Sequence, residues 1–143
     1  MIHRPKVGVG VLIMRGSSLL LGLRKSAHGR DSWAPPGGHL ECGEDWQTCA
    51  QREVLEETGL RLTEVTFFGA TNDIFDEQKH YVTIFMIADY NGGMIENLEP
   101  EKCYEWRWFD INCMPDNLFL SFDHVIQMYG QQLRARINFK STT

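Results

Sequence analysis

Hydrophobic and polar positions alternate at the start of the chain and then give way to an apolar run. The segment from Lys6 to Met14 alternates over its first residues and is wholly apolar at its end, as a strand is when it enters a core. Residues 15–18 (R-G-S-S) give a turn signal, and Leu19 to Leu23 is apolar again. The pattern predicts a β-hairpin. Gly8 and Gly10 inside it serve either close packing or the close approach of another group.

Later segments also have the composition of strands. Leu62 to Ala70 and Tyr81 to Tyr90 are rich in β-branched and aromatic residues. The polar residues between them, Thr71 to Lys79, predict a loop that is able to border a site. Trp106 to Phe109 predicts a further short strand.

The end of the chain has the spacing of a helix. From about Leu118 the apolar residues recur at positions 118, 119, 122, 125, 126 and 129. The tail from Gln131 is polar and basic, and we expect little to anchor its end.

Another helix is framed by its end signals. Asp45 is a good N-cap, and Gly59 stands where a helix end favours positive φ, which predicts a helix from Trp46 to Thr58. Residues 33–38 (W-A-P-P-G-G) cannot be helical, because two prolines and two glycines impose an extended lead-in and a turn. We expect this turn to bring the backbone close to the helix.

Three carboxylates share one side of that helix. Glu53 and Glu57 lie one turn apart on the same stripe, with Glu56 about 80–100° round from them. Acids so close repel one another, which favours a bound cation. Hard oxygens with no His or Cys in the set favour Mg²⁺ or Mn²⁺, whose shell a Gly38 carbonyl is able to complete. The alternative is a solvated acidic helix face.

The acidity of the chain is local. Residues 38–60 hold six acids and one base, so their net charge equals the −5 of the whole chain. No basic face is apparent, which argues against nucleic acid as a partner. A small polyphosphate that arrives with its own metal ion is compatible with this charge.

Length and cysteine usage indicate one intracellular domain. A chain of 143 residues is able to bury a single core, so we expect one domain over residues 1–143. The cysteines form no C-x-x-C pair, and we interpret them as reduced thiols: Cys42, Cys49, Cys103 and Cys113. Neither a signal peptide nor a membrane span is apparent. We therefore expect a cytoplasmic protein without a membrane partner, and a homodimer is compatible with the sequence.

The segment from Gly38 to Leu60 reads G-x5-E-x7-R-E-V-L-E-E-x-G-L, which resembles the Nudix box at all its defining positions. The order of hairpin, proline-glycine lead-in, box, strands and final helix is similar to Nudix hydrolases over nearly the whole chain. The resemblance implies an α/β fold, an α/β/α sandwich with a mixed β-sheet. Within the family, P-G-G-H-L-E, C-A-Q-R-E, H-Y-V-T-I and E-P-E-K-C resemble the MutT-like nucleoside triphosphate diphosphatases of the nucleotide-sanitising type.

The resemblance implies a metal site in the box. Glu53 and Glu57 match the principal ligands, with Glu56 as a further or water-bridged ligand and Gly38 beside them. The implied ion is Mg²⁺, and Mn²⁺ also suits these oxygens.

Catalytic roles are implied for Glu53, Glu56 and Glu105. The general base of a Nudix enzyme is either a box glutamate or a glutamate from a loop outside it. Glu105, just before Trp106, matches the position of a proposed base, and Glu101 also qualifies.

Four residues are implied for substrate binding. Arg24 lies at a strand end where similar chains often carry an arginine, and His39 stands beside the paired glycines. Thr83 lies on the strand after the polar loop, and Phe119 starts the final helix, as in related sanitising enzymes. The alternative for each is a structural or surface role.

The implied function is metal-dependent hydrolysis of nucleoside triphosphates, modified or oxidised ones included, to a nucleoside monophosphate and pyrophosphate. Bare carboxylates repel a polyphosphate, and a bound divalent cation makes the charge that the site presents to the phosphates positive. One alternative is hydrolysis of another nucleoside diphosphate compound, such as ADP-ribose or a nucleotide sugar, or of dihydroneopterin triphosphate. Another is a non-catalytic nucleotide-sensing module, which the complete set of box acids disfavours.

Overall fold

A seven-stranded mixed sheet organises the computed structural model, which describes residues 3–142 and the side chains of residues 3–139. Its strands are β1 (Lys6–Arg15), β2 (Ser18–Arg24), β3 (Trp33–Ala34), β4 (Gly37–His39), β5 (Thr66–Asp76), β6 (Lys79–Asp89) and β7 (Cys103–Asp110). The helices are α1 (Trp46–Thr58) and α2 (Leu120–Thr142). In the described part of the chain, neither helix has the length and hydropathy needed to cross a membrane.

Strand β1 is the centre of the sheet. It runs parallel to β6 along one edge and antiparallel to both β2 and β4 along the other. Met14 and Arg15 pair with β2, whereas residues 8–10 pair with β4. Because β2 and β4 share one edge of β1, they use different stretches of it. The glycines of the predicted lead-in therefore belong to a strand, β4, which pairs with the central strand of the sheet.

Both faces of the sheet are covered, which explains the unbroken apolar run in β1. Val9, Val11 and Ile13 face α1, where Cys49, Ala50 and Val54 complete one core. The second core joins the opposite side chains of the sheet to α2, and its members include Leu12, Met14, Leu19, Leu21, Phe85, Phe122, Val125 and Leu133. The α/β/α sandwich with a mixed sheet is confirmed.

Helix α1 begins and ends at the predicted residues. The Asp45 backbone is extended, and its carboxylate accepts a hydrogen bond from the Thr48 amide at 2.7 Å. Gly59 has φ of 78° and donates its N–H to the Leu55 carbonyl. Both caps are local features of the sequence, so the helix could be predicted without its tertiary contacts.

Two expectations about polar segments are wrong. Residues 71–79 are not a loop: β5 continues to Asp76, β6 begins at Lys79, and a tight turn joins them. The tail beyond Gln131 is also anchored, because α2 continues to Thr142 and buries Leu133 completely. Polar composition misled in both cases, because burial of single positions, alternate ones in β5 and Leu133 in α2, is enough to anchor each segment.

The two glycines of β1 have different roles. A Cβ atom added at Gly10 would lie 2.7 Å from Cε1 of Phe85, closer than side chains pack. A Cβ atom at Gly8 would meet nothing closer than Oγ1 of Thr83, at 3.7 Å. Gly10 is therefore required for packing, whereas a methyl group at position 8 would make ordinary van der Waals contacts.

We predict that Gly10→Ala lowers the free energy of unfolding by about 1–3 kcal/mol, because the added methyl group overpacks the core against Phe85. Gly8→Ala is the matched control on the same strand and is expected to leave stability nearly unchanged. Urea unfolding of both variants measures the difference. Equal destabilisation by the two substitutions would contradict this assignment of their roles.

Candidate active site

Two carboxylates of α1 lie against the glycines of β4. Oε2 of Glu57 accepts a hydrogen bond from the Gly37 amide at 2.9 Å. The Glu53 carboxylate occupies the space where a side chain at Gly38 would begin, so any Cβ atom there would collide with it. The prediction that the turn brings backbone close to the helix acids is confirmed. A larger residue at position 38 would displace the Glu53 carboxylate from its place against the backbone.

Burial perturbs both of these acids. Desolvation raises the pKa of Glu57 to about 8, and the negative charges of Glu53 and Glu99 add to the increase, against the opposing Gly37 hydrogen bond. Desolvation also raises the pKa of Glu53, although its hydrogen bond with Arg52 opposes the shift. Without a cation beside them, the two carboxylates are therefore costly to ionise.

Arg52 connects the other acids of the box. Its Nη2 and Nε atoms lie 2.7 and 3.1 Å from the two carboxylate oxygens of Glu44, a bidentate pair. Its Nη1 atom donates to Glu53 at 2.8 Å, and Nη2 also reaches the His39 carbonyl at 3.3 Å. The hydrogen bonds from Arg52 lower the pKa of Glu44 to about 2, so Glu44 is ionised and committed to this pair.

The predicted convergence of three carboxylates is not present in this arrangement. Glu56 is half exposed, and its oxygen lies 3.4 Å from Arg52, which also holds Glu53. Among residues 3–139, no group of three or more acidic, His or Cys side chains is arranged to hold a metal ion. The guanidinium at position 52 pairs with Glu53 and Glu56 and does not contact Glu57.

The donor set nevertheless fits a hard divalent cation. Glu53 and Glu57 offer carboxylate oxygens, and the backbone of Gly38 is in contact with the first of them. Both carboxyl groups have raised pKa values, so a positive charge between them would relieve a cost that the fold already bears. Only oxygen donors are present, which suits Mg²⁺ or Mn²⁺.

Of the loop acids, Glu99 is the one that faces the box. Its charge raises the pKa of both Glu53 and Glu57, and it lines a small cavity of about 80 Å³ together with Glu57. The two loop acids expected from the sequence lie elsewhere: Glu101 is exposed, and Glu105 forms an ion pair with Arg107 at the surface. Neither of them lines this small cavity or the larger cavity that opens beside Glu53.

The position of Glu99 could not be inferred from local pattern. The segment before it is tied to the end of α1, since the Leu98 amide donates to the Glu57 carbonyl at 3.2 Å and the Glu96 amide donates to that of Thr58 at 2.9 Å. These long-range backbone hydrogen bonds bring the loop beside the acidic helix.

A larger cavity of about 470 Å³ opens beside Glu53, within the range of sites for small molecules. All four residues predicted to bind substrate line it: Arg24, His39, Thr83 and Phe119. The sequence alone did not indicate three further lining residues, which are His28, Phe75 and Tyr81. The polar pattern predicts a loop at Phe75, but this residue lies in β5, and its ring packs edge-on against Tyr81 in the cavity lining.

The end of the cavity away from the acids is aromatic. The His28 ring lies edge-on to Phe75 and to Phe119, with centroids 4.4 and 5.3 Å apart, and it stacks near Tyr81. Phe119 is half-buried and belongs to neither core cluster. Aromatic faces of this kind stack well on the planar rings of nucleic bases.

Arg24 joins the acidic and aromatic ends. Its guanidinium lies 4.4 Å from the centre of the Phe119 ring, and its Nε atom donates to the His28 carbonyl at 2.9 Å. Desolvation lowers the pKa of Arg24, and the charge of Glu57 opposes that change. Arg24 thus brings a cation into the cavity between the carboxylates and the rings.

His39 is held against a ring. Its imidazole stacks on Tyr81 with centroids 5.5 Å apart, and Nε2 lies 3.1 Å from the Tyr81 hydroxyl oxygen. Desolvation and then the charge of Lys6 lower the pKa of His39, so the ring is neutral near pH 7. It is positioned to make hydrogen bonds rather than to carry charge.

The fold is an α/β/α sandwich in which the acidic residues of α1 lie directly against the glycines of β4. This combination defines a class of domain. A family model described as NUDIX domain matches residues 4–127, so the chain belongs to the Nudix family of hydrolases. Enzymes of this family act on nucleoside diphosphate-linked substrates.

Individual relatives carry different names. The chain is 34% identical over 121 residues to the ADP-ribose pyrophosphatase of Methanocaldococcus jannaschii, covering 84% of this chain and 69% of that one. It is 33% identical over 109 residues to the oxidized purine nucleoside triphosphate hydrolase of Danio rerio, covering 73% and 66%. It spans only 42% of the NAD-capped RNA hydrolase NudC of Vibrio atlanticus, at 28% identity over 118 residues.

A solved structure supports the same fold. The MutT NUDIX hydrolase from Burkholderia pseudomallei superposes with a TM-score of 0.77 at 29% sequence identity, covering 81% of this chain and 91% of that one.

We predict that Glu57→Gln stabilises the metal-free protein at alkaline pH. The raised pKa of about 8, against an ordinary 4.5, means that Glu57 contributes stability below pH 4.5 that is lost as the pH rises towards 8. Glutamine keeps an acceptor for Gly37 and does not titrate. With a chelator present, the melting temperature of the variant minus that of the wild type should therefore increase as the pH rises from 5 to 8.5.

The exposed acid Glu64 provides the control, since Glu64→Gln removes a carboxylate far from burial. Its effect on the melting temperature should not change over that pH window. A Glu57→Gln effect that is equally independent of pH would contradict the raised pKa.

Proposed function

We propose that the protein hydrolyses nucleoside triphosphates to nucleoside monophosphates and pyrophosphate with the help of Mg²⁺ or Mn²⁺. The observation that carries this proposal is the 470 Å³ cavity, whose lining combines the carboxylate of Glu53 with a cluster of aromatic rings. A nucleotide has the same polarity along its length, with phosphates at one end and a planar base at the other. The name of the Danio rerio relative supports a triphosphate substrate.

The residues divide the work according to their surroundings. Glu53 and Glu57, with the Gly38 carbonyl, would hold the cation, and Glu56 would join them when it leaves Arg52. A divalent cation bound there supplies positive charge to phosphate oxygens and lowers the pKa of a water molecule. Arg24 adds a permanent positive charge between the phosphates and the base.

The proton of the attacking water requires a carboxylate close to the phosphates. Glu53, Glu56 and Glu105 are the acids that the sequence suggests. We add Glu99 because it lines the small cavity together with Glu57 and its charge acts on both Glu53 and Glu57. Glu105 is the weaker loop candidate, since Arg107 holds its carboxylate at the surface.

Hydrolysis of ADP-ribose is the second candidate function. It is favoured by the name of the archaeal relative, which is 34% identical over 84% of this chain. Both substrates contain a pyrophosphate bond next to a nucleoside, so the same acidic end would serve either. They differ in the group attached beyond the second phosphorus, which is a phosphate in one and a ribose in the other.

We predict that Glu53→Gln lowers kcat at least about a hundredfold while the fold remains intact, because it removes a metal-based contribution of several kcal/mol to the transition state. Glu64→Gln should retain normal turnover. Pyrophosphate release from a panel of nucleoside triphosphates with Mg²⁺ measures both. Near-normal activity of Glu53→Gln would remove this residue from the metal site.

We predict that activity requires Mg²⁺ or Mn²⁺ and is poorly supported by Ca²⁺, whose larger and looser shell positions phosphate less well. A triphosphate should yield monophosphate and pyrophosphate, whereas ADP-ribose would yield AMP and ribose 5-phosphate. Chromatography of the products from each substrate separates the two candidate functions. Orthophosphate as the first product, or turnover that survives exhaustive chelation, would contradict the proposal.

We predict that Phe119→Ala raises KM about tenfold and reduces selectivity among bases more than it lowers kcat. The reason is that stacking of the base on this ring contributes about 1–2 kcal/mol to binding. Phe67→Ala, which truncates an exposed ring on β5, is the control and should change neither. Equal losses for every nucleotide together with a lower melting temperature would show that Phe119 serves the core.

A further inference from the structure

A buried carboxylate lies beside Thr83, on the sheet face that forms the cavity floor. Asp73 of β5 is 0% exposed, and its Oδ2 atom accepts hydrogen bonds from the hydroxyls of Thr71 at 2.7 Å and Thr83 at 3.0 Å. Its Oδ1 atom lies 2.7 Å from Nδ1 of His124 on α2. None of the proposed catalytic steps uses Asp73.

The carboxylate fixes the direction of the Thr83 hydroxyl. Both threonine hydroxyls donate to the same carboxylate oxygen, Oδ2. A threonine hydroxyl has a single proton and two lone pairs. Since the proton of Thr83 is directed to Asp73, the hydroxyl offers only acceptor capacity to any other neighbour.

That remaining capacity faces the cavity. Thr83 lines it, whereas neither Thr71 nor Asp73 does. Thr83 stands beside Gly8, where the absence of a side chain leaves space above the hydroxyl oxygen. Thr83 is only 8% exposed, so it is recessed in the floor, where a group that projects from a ring can reach it and the ring itself cannot.

We propose that Asp73 is a positioning residue that holds the Thr83 hydroxyl as a hydrogen-bond acceptor, and that the enzyme thereby selects bases with an exocyclic amino group. The inference rests on the proposed function, because it requires a base at the aromatic end of the cavity. His124 of α2, the helix that follows Phe119, holds the other carboxylate oxygen, since its Nδ1 atom lies 2.7 Å from Oδ1 of Asp73.

Nucleotides that differ at one ring position test this polarity in the wild-type enzyme. Three series carry an amino group, a hydrogen or an oxo group in turn: GTP, ITP and XTP at position 2; ATP, purine riboside triphosphate and ITP at position 6; CTP, pyrimidin-2-one riboside triphosphate and UTP at position 4. If the acceptor is fixed, kcat/KM should be highest for the amino member, lower for the hydrogen member and lowest for the oxo member in at least one series. Each step should be about three- to tenfold, as expected for one hydrogen bond or its loss.

A hydroxyl that rotates freely predicts a different order. It would donate to an oxo group as readily as it accepts from an amino group, so the hydrogen member would be the poorest substrate. Finding the oxo member equal to or better than the hydrogen member in every series would overturn the inference. Absence of hydrolysis for all nucleotides with Mg²⁺ would instead overturn the proposed function on which it rests.

Variants assign the effect to these residues. Thr83→Val keeps the shape and removes the hydroxyl, so the amino-to-hydrogen ratio should fall to about one. Thr83→Ser should keep the ratio. Thr71→Val is the matched control, because it removes a hydroxyl from the same oxygen of Asp73 without altering the cavity lining, and it should also keep the ratio.

Asp73→Ala releases the proton of Thr83, so the oxo member should rise above the hydrogen member while the amino member falls. Thr83→Val combined with Asp73→Ala should give the ratios of Thr83→Val alone. A folded Asp73→Ala enzyme with wild-type ratios would overturn the positioning role. Should Asp73→Ala fail to fold, the wild-type series and the Thr83→Val and Thr71→Val comparison decide the polarity of the hydroxyl.

Discussion

The close approach of two buried carboxylates to a glycine backbone is the constraint on which the rest of this site depends. Glu57 accepts the Gly37 amide, and Glu53 fills the space that any larger residue at position 38 would need. Ionising both groups is unfavourable in such surroundings, as their raised pKa values show. The fold holds them there nonetheless, because α1 is capped at both ends and its opposite side is packed in the core.

Charge compensation follows from that constraint. In the described structure Arg52 offsets Glu44 and Glu53 but does not reach Glu57, whose surroundings contain the like charges of Glu53 and Glu99. A divalent cation would compensate the remaining charge, and it would also turn the acidic end of the cavity into a seat for phosphate oxygens. The aromatic end needs no such compensation, so the two ends of the cavity suit the two ends of a nucleotide.

Features determined by neighbours in sequence were predictable, and those determined from a distance were not. The caps of α1 and the approach of Gly38 to the helix followed from local patterns. The position of Glu99 did not, because it depends on long-range backbone hydrogen bonds that tie the loop before it to the end of α1. The polar pattern around Asp73 predicts a loop, yet this residue is buried among hydroxyl donors from β5 and β6 and an imidazole from α2.

Calorimetric titration of the metal-free protein with Mg²⁺ or Mn²⁺, in buffers of different ionisation enthalpy, tests the central claim most directly. Since the pKa of Glu57 is about 8, binding at pH 7 must displace a proton from it. We expect release of about one proton per ion bound at pH 7, falling towards zero at pH 9, and loss of the release in Glu57→Gln. No binding, or binding without proton release at pH 7, would contradict a cation site at these carboxylates.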